Sequence, residues 1–129
     1  MVSRKVTVDT SIIIDHLRQI KQSKTLLRTI LKDKHTAFII SSDVIQELFA
    51  GQSSKTVEPK DEIRKILQSF HIIDVTPEIA ELAGQIMRDS KLSIQFADAA
   101  IAATAITNNA LLATLNKKDF QGIPDLEFV

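Results

Sequence analysis

The chain has no cysteine, no tryptophan and no tyrosine, and its 129 residues include only three glycines and three prolines. Without cysteine it can form neither disulfides nor thiolate metal sites, which suits a reducing compartment. Neither of the common glycine-rich loops that cradle nucleotide phosphates occurs, so we expect no nucleotide cofactor. No signal-peptide stretch follows the N-terminus, and no segment approaches the roughly 20 apolar residues that span a membrane. We therefore expect a cytoplasmic protein that does not enter a membrane.

An excess of one charge is also lacking, because 16 basic residues are balanced by 16 acidic ones. Dedicated nucleic-acid binders usually carry a basic excess, so the balance by itself argues against that class. The objection weakens if metal ions add positive charge to a group of carboxylates. The length and the 44% hydrophobic content fit one globular domain over residues 1–129.

Short apolar runs of strand length alternate with segments of helical periodicity. This alternation predicts an α/β fold with a parallel sheet of four or five strands, covered by helices on both faces. A polar stretch that contains Pro59 predicts a loop at 52–60. The predicted strands are 4–8, 37–40, 71–75, 111–115 and a short one at 126–129. The predicted helices are 11–18, 23–31, 42–50, 61–70, 78–91 and 96–108.

Four acidic residues stand where a surface carboxylate is not expected: Asp9, Glu47, Asp98 and Asp119. Each ends, interrupts or opens an apolar run, where an ionised carboxylate is costly unless something positive compensates it. No lysine or arginine lies within these runs, so a hard divalent cation is the natural candidate. Asp9 follows the first predicted strand and Asp119 the fourth, while the other two lie near helix starts. Because ligand sites in parallel sheets lie at the carboxyl ends of the strands, we expect all four acids at one edge.

Each of these acids also has a structural interpretation when it is taken alone. Asp9 could cap the helix that follows it, and Asp98 could lie in the first turn of a helix, where the dipole favours negative charge. Glu47 could be a solvated residue of an amphipathic helix, and Asp119 a turn residue. The order and spacing of the four together favour a shared site.

Four segments in this order resemble the PIN domain family, in particular the VapC-type toxins of prokaryotic toxin–antitoxin pairs. They span positions 9 to 120, essentially the whole chain. They are Val8-Asp9-Thr10-Ser11, Glu47-Leu48, the stretch from Phe96 to Ala103, and Thr114-Leu115-Asn116-Lys117-Lys118-Asp119-Phe120. One departure is Leu115, which stands where many relatives carry a basic residue.

The resemblance implies a PIN-like fold and an endoribonuclease that depends on Mg²⁺ or Mn²⁺. It also implies a homodimer and a cognate VapB-type antitoxin that holds the enzyme inactive. Asp9, Glu47 and Asp98 match the core acidic ligands, and Asp119 matches the fourth acid. The polar residues that could support these ligands are Thr10, Ser11, Thr114 and Asn116. Lys117 and Lys118 lie beside Asp119 and are candidates for contact with RNA phosphates.

A carboxylate-held ion can polarise a phosphate and activate water, and attack by water would leave a 5′-phosphate and a 3′-hydroxyl. Attack by the RNA's own 2′-hydroxyl is disfavoured, because all three histidines lie outside the acidic motifs. Two rivals stay open. One is a non-catalytic PIN-like module that binds RNA or protein, and the other is an enzyme or receiver domain with a nucleophilic aspartate. The second would require paired acids or an Asp-x-Asp motif, which the chain lacks at its first strand.

Overall fold

The computed structural model describes residues 3–19, 21, 24–51 and 57–129, without the side chains at 57–59. Along this length, two helices stand between each strand and the next. In chain order they are β1 Arg4–Val8, α1 Thr10–Arg18, α2 Leu26–Ile30, β2 Thr36–Ser41, α3 Ser42–Ala50, α4 Val57–Leu67, β3 His71–Ile73, α5 Pro77–Asp89, α6 Phe96–Thr107, β4 Leu111–Ala113 and a 3₁₀ helix at Lys117–Phe120.

The four strands form one sheet in the order β3-β2-β1-β4, and every neighbouring pair is parallel. Val6 of the central strand β1 lies opposite Phe38 in β2 and Leu111 in β4. The predicted α/β class and the parallel sheet are therefore confirmed. The carboxyl ends of β1, β2 and β4 meet at one edge, which is where such sheets place their ligand sites.

The predicted fifth strand at 126–129 was wrong. Only a single parallel bridge joins Phe128 to Leu112, with the Leu112 N–H donating to the Glu127 carbonyl at 2.8 Å. Strand β4 also ends at Ala113 instead of 115. The reason is local, because the Leu115 N–H donates to the Ser11 side chain and is not available to a neighbouring strand.

Two helix starts differ from the predictions by more than one residue. Helix α2 begins after Thr25, whose hydroxyl accepts a hydrogen bond from the Arg28 N–H at 3.1 Å and so caps the helix. Helix α4 begins at Val57, inside the predicted loop, and position 59 falls in its first turn, where proline is tolerated. The rest of that predicted loop, 52–56, lies outside the described residues.

Helix α6 is the centre of the core. Its residues from Ala99 to Ala105 are all buried, which leaves it no polar face in the middle. It packs against α5, α3 and strands β1 and β2, and small side chains permit this close approach. None of the helices in the described part of the chain is both long and apolar enough to cross a membrane.

Candidate functional site

Asp9 is the buried acid at the carboxyl end of β1, only 4% exposed. It occupies the N-cap position of α1 with extended backbone, but its side chain makes no capping hydrogen bond. Its Oδ2 instead accepts from the hydroxyls of Ser11 and Thr114 at 2.8 and 2.7 Å. The capping interpretation of Asp9 therefore does not hold, and its Oδ1 has no donor within the described residues.

The two hydroxyls that hold Asp9 are themselves fixed by the segment that follows β4. The Leu115 N–H donates to Ser11 Oγ at 3.1 Å, and the Asn116 N–H donates to Thr114 Oγ1 at 3.0 Å. Asn116 is exposed and contributes this backbone group to the network. The turn after β4 thus orients the Asp9 carboxylate through two hydroxyls.

Glu47 lies on α3 and is oriented by the first residue of α1. The Thr10 hydroxyl donates to Glu47 Oε1 at 2.7 Å. Partial desolvation raises the pKa of the Glu47 carboxyl, and the charges of Asp9 and Asp43 add to this, while the hydrogen bond from Thr10 opposes it. Glu47 is exposed as a residue, so its carboxylate borders both the protein and solvent.

Asp98 shows most clearly that the four acids share one environment. Burial in the first turn of α6 raises its pKa, and the charges of Asp9, Asp119 and Glu47 raise it further, to about 6. Within the described residues, none of these four carboxylates forms an ion pair with a lysine, arginine or histidine. The acids therefore gather at one edge without a compensating protein cation.

Asp119 lies on the exposed 3₁₀ helix Lys117–Phe120, beside both predicted phosphate-contacting lysines. Lys117 places its Nζ 5.6 Å from the centroid of the Phe128 ring, which holds that ammonium group near the end of β4. Lys118 is exposed. Lys117 and Lys118 line a shallow cleft together with the other residues of the segment from Thr114 to Asp119.

The candidate donor atoms suit a hard divalent ion, because they are carboxylate oxygens that hydroxyl groups orient through hydrogen bonds. In the described part of the chain, however, no three Asp, Glu or His side chains are arranged closely enough to hold an ion. To hold an ion, these carboxylates would have to lie closer together than they do in the structure.

One acid near the site was missed by the sequence reasoning. Asp43 precedes Glu47 by four residues on α3, and its charge contributes to the raised pKa of Glu47. The spacing is a usable signal, since residues four apart lie on the same side of a helix. The contact of Lys117 with Phe128 had no local signal, because neither periodicity nor spacing relates those positions.

Comparison with known proteins places this arrangement in a family. A model of the PIN domain matches residues 6–126. The chain is 35% identical over 114 residues to ribonuclease VapC10 of Mycobacterium tuberculosis, covering 86% of this chain and 82% of that protein.

Two solved structures show the same fold. VapBC2 of Rickettsia felis, bound to a promoter DNA fragment, matches with a TM-score of 0.83 and 27% identity over 97% of each chain. A toxin–antitoxin complex from Klebsiella pneumoniae matches with a TM-score of 0.73 and 30% identity over 94% of each chain. With its parallel sheet and the family match over residues 6–126, the chain belongs to the PIN domain family.

Proposed function

We propose that this chain is a metal-dependent endoribonuclease and the toxin of a VapBC-type toxin–antitoxin pair. The observation that carries the proposal is the acidic cluster, whose carboxylates have no ion-pair partner among the described residues. Burial raises the pKa of Asp98 there, and the charges of the three other carboxylates raise it further. A protein that only bound RNA would gain nothing from uncompensated negative charge beside a phosphate chain. The similarity to ribonuclease VapC10 supports the choice of RNA as the substrate.

Asp9 and Asp98, together with Glu47 and Asp119, are the side chains that would hold Mg²⁺ or Mn²⁺. When bound, such an ion polarises the scissile phosphate and lowers the pKa of an attacking water. The protein contributes orientation, because Thr10 fixes Glu47 while Ser11 and Thr114 fix Asp9. Ligand side chains that are already held in position lose less conformational entropy when the substrate binds.

Lys117 and Lys118 supply positive charge in the cleft that Asp119 also lines. We propose that they contact phosphates of the RNA next to the one that is hydrolysed. The contact of the Lys117 ammonium group with the Phe128 ring supports this role, since it leaves the group without an ion-pair partner among the described residues.

The solved structures of related proteins support the antitoxin partner that we propose. The Rickettsia felis neighbour is a VapBC2 structure and the Klebsiella pneumoniae neighbour is a toxin–antitoxin complex, which supports a cognate VapB-type antitoxin for this chain. A homodimer is part of the same proposal. Since RNA is the proposed substrate, we place the activity in the cytoplasm.

The test incubates purified protein with a mixed RNA pool and Mn²⁺ or Mg²⁺, with and without EDTA. We expect cleavage that requires the metal and leaves 5′-phosphate ends. Asp98→Asn should lower the rate by at least about a hundredfold, because it removes a charged ligand. Glu81→Gln is the matched control, since Glu81 is an exposed acid on α5 and its charge is not among those that raise the pKa of Asp98.

Two results would overturn the proposal. One is cleavage that persists in EDTA or in Asp98→Asn. The other is RNA binding by the wild-type protein without any hydrolysis in Mn²⁺, which would favour the non-catalytic binding module.

A further inference from the structure

The charges of the chain are divided unevenly along its length, although they balance in total. Residues 1–34 include eight basic and three acidic residues, whereas 35–129 include eight basic and thirteen acidic ones. The first of these parts contains β1, α1 and α2. The zero net charge of the whole chain therefore does not describe this part, which has an excess of basic residues.

The turn that leads into β2 holds part of this excess at the start of the sheet. Lys32 and Lys34 are both exposed in this turn. The carbonyl of His35, which follows them, accepts a hydrogen bond from the Ser3 N–H at 2.7 Å, so the turn lies beside the residue that precedes β1. Because β1 and β2 are parallel, both strands begin at this amino edge of the sheet.

Lys5 adds a third exposed ammonium group at the same edge, where it follows Arg4 in β1. The Arg4 guanidinium lies 3.9 Å from the Asp33 carboxylate, which partly compensates its charge. Within the described residues, Lys5, Lys32 and Lys34 form no ion pair. We call these three lysines the basic edge.

The basic edge and the acidic cluster lie at opposite ends of β1. Arg4 begins the strand and Asp9 follows its last residue. An extended strand advances about 3.3 Å per residue, so these two positions are separated by about 16 Å. A stacked nucleic-acid strand advances about 3.4 Å per nucleotide and spans this distance with about five nucleotides. An RNA held at the acids therefore reaches the basic edge only if it continues well beyond the cleavage step.

The chemistry of the basic edge suits a phosphate backbone better than a protein surface. Protein interfaces are depleted of lysine and are anchored by buried aromatic or arginine side chains. Of the large hydrophobic side chains that are exposed in the described part of the chain, only Leu26 belongs to residues 1–34. Ammonium groups attract phosphates as point charges, and each one that neutralises a phosphate releases condensed counterions. These properties favour nucleic acid as the partner.

We propose that the basic edge binds the RNA backbone outside the cleavage step, so that one substrate molecule contacts both ends of β1. This inference rests on the proposed ribonuclease function and adds a second contact surface for the same substrate. Contacts to phosphates position a nucleic acid without reading its sequence. The basic edge therefore strengthens the binding of long RNA and leaves the choice of cleavage sequence to the acidic end.

The first test measures RNA binding without cleavage, in an Asp98→Asn background. Lys32→Gln combined with Lys34→Gln should weaken binding of a mixed-sequence RNA of about 20 nucleotides by at least about tenfold at low salt. The slope of log Kd against log salt concentration should fall by about 1.4 to 2, since each lysine contributes about 0.7 to 1. Lys32→Arg combined with Lys34→Arg retains both charges and should bind RNA like the parent protein.

The matched control is Lys60→Gln combined with Lys91→Gln, which removes the same charge from α4 and from the connection after α5. Its slope should stay close to that of the parent protein. An equal fall in this control would overturn the inference, as would an equal loss of binding in the double arginine variant. An unchanged slope in the double glutamine variant at Lys32 and Lys34 would also overturn it, and would favour an acidic protein segment as the partner of this edge.

The second test locates the basic edge relative to the cleavage step. Lys32→Gln combined with Lys34→Gln in otherwise wild-type protein should raise KM for the long RNA by at least about tenfold with kcat little changed, because a remote contact binds substrate and transition state alike. KM for an RNA of about six nucleotides, which is too short to reach both ends of β1 when it is cleaved in its middle, should not change. An equal rise in KM for both RNAs would contradict the remote position of these lysines and overturn the inference.

The two tests separate this inference from the proposed function. If binding depends on Lys32 and Lys34 but the wild type cleaves no RNA, the basic edge is supported as an RNA-binding surface and the ribonuclease proposal fails. If the wild type cleaves RNA with Mn²⁺ but binding does not depend on these lysines, the ribonuclease proposal stands and this inference fails.

Discussion

At the residue scale, Asp98 links the acidic cluster to folding stability. Its raised pKa means that the folded protein keeps a proton there between pH 3.8 and about 6, where the unfolded chain has released it. The folded state therefore binds more protons in this window, and stability falls as pH rises through it. The carboxylate destabilises the metal-free protein at neutral pH.

Asp98→Asn should consequently make the metal-free protein more stable at neutral pH. We expect a gain of about 1 kcal/mol after allowance for solvent screening, and no gain near pH 4, where wild-type Asp98 is protonated. Urea unfolding in EDTA across this pH range measures the difference. Glu81→Gln should show no such pH dependence, and a loss of stability in Asp98→Asn at neutral pH would contradict the account.

We predict that the hydroxyl of Thr114 affects catalysis through its hydrogen bond to Asp9. Thr114→Val keeps the shape of the side chain but removes the 2.7 Å hydrogen bond to Asp9 Oδ2. Groups that orient metal ligands typically contribute 10- to 100-fold in affinity or activity, so we expect a loss of that size in both Mn²⁺ affinity and RNA cleavage. Thr114→Ser retains the hydroxyl and should retain most activity. Full activity in Thr114→Val would show that Asp9 needs no such support.

At the element scale, helix α6 combines two tasks. Its first turn presents Asp98 to the site, and its middle is buried against α5 and the sheet. The middle of α6 is buried on all sides. Small alanine side chains suit these positions, because larger ones would push α5 and the sheet apart. The position of Asp98 therefore depends on close packing several residues away.

Ala102→Leu should test that packing. Added volume in a well-packed core destabilises by about 1–3 kcal/mol, and we expect denaturant unfolding to show a loss of at least this size. The control is Ala80→Leu on the exposed side of α5, which should change stability by less than about 0.5 kcal/mol. Equal stability of the two variants would mean that the core can accommodate a leucine at position 102, and it would contradict the close packing of α6.

An element could be predicted from the sequence when the residues that determine its type and its ends lie within a few positions of each other. Strand β1 and helix α3 follow from an apolar run and from a serine cap with a glycine stop, all within a few residues. Helix α4 did not follow, because its first turn carries a proline and resembles a loop. The strand expected at 126–129 did not form, because this segment pairs with β4 through only one bridge, between Phe128 and Leu112.

At the scale of the whole molecule, the edge rule for parallel sheets led to the prediction that acids distant in sequence lie at one edge of the sheet. Sequence alone could not decide whether Asp9 caps its helix, because that depends on Thr114, more than a hundred residues away. Nor could it place Lys117 over Phe128. The metal-ligand roles of the four acids stay predictions that measurement must decide.

Metal binding should also stabilise the whole fold. An ion that binds only the folded state stabilises it by about 2.7 kcal/mol at a hundredfold excess over its Kd. For a domain of this size we expect a rise in Tm of roughly 10 °C with saturating Mn²⁺, measured by calorimetry. Asp98→Asn should lose most of this shift. A wild-type Tm that does not respond to Mn²⁺ would argue against a folded-state metal site.

The most direct test of the acidic cluster is a calorimetric titration of Mn²⁺ into wild type, Asp9→Asn, Asp98→Asn and Glu81→Gln. The account predicts saturable binding to the wild type and to Glu81→Gln, and at least a tenfold weaker affinity in both aspartate variants. Equal affinity in all four proteins, or no binding to the wild type, would contradict the claim that these carboxylates form a metal centre.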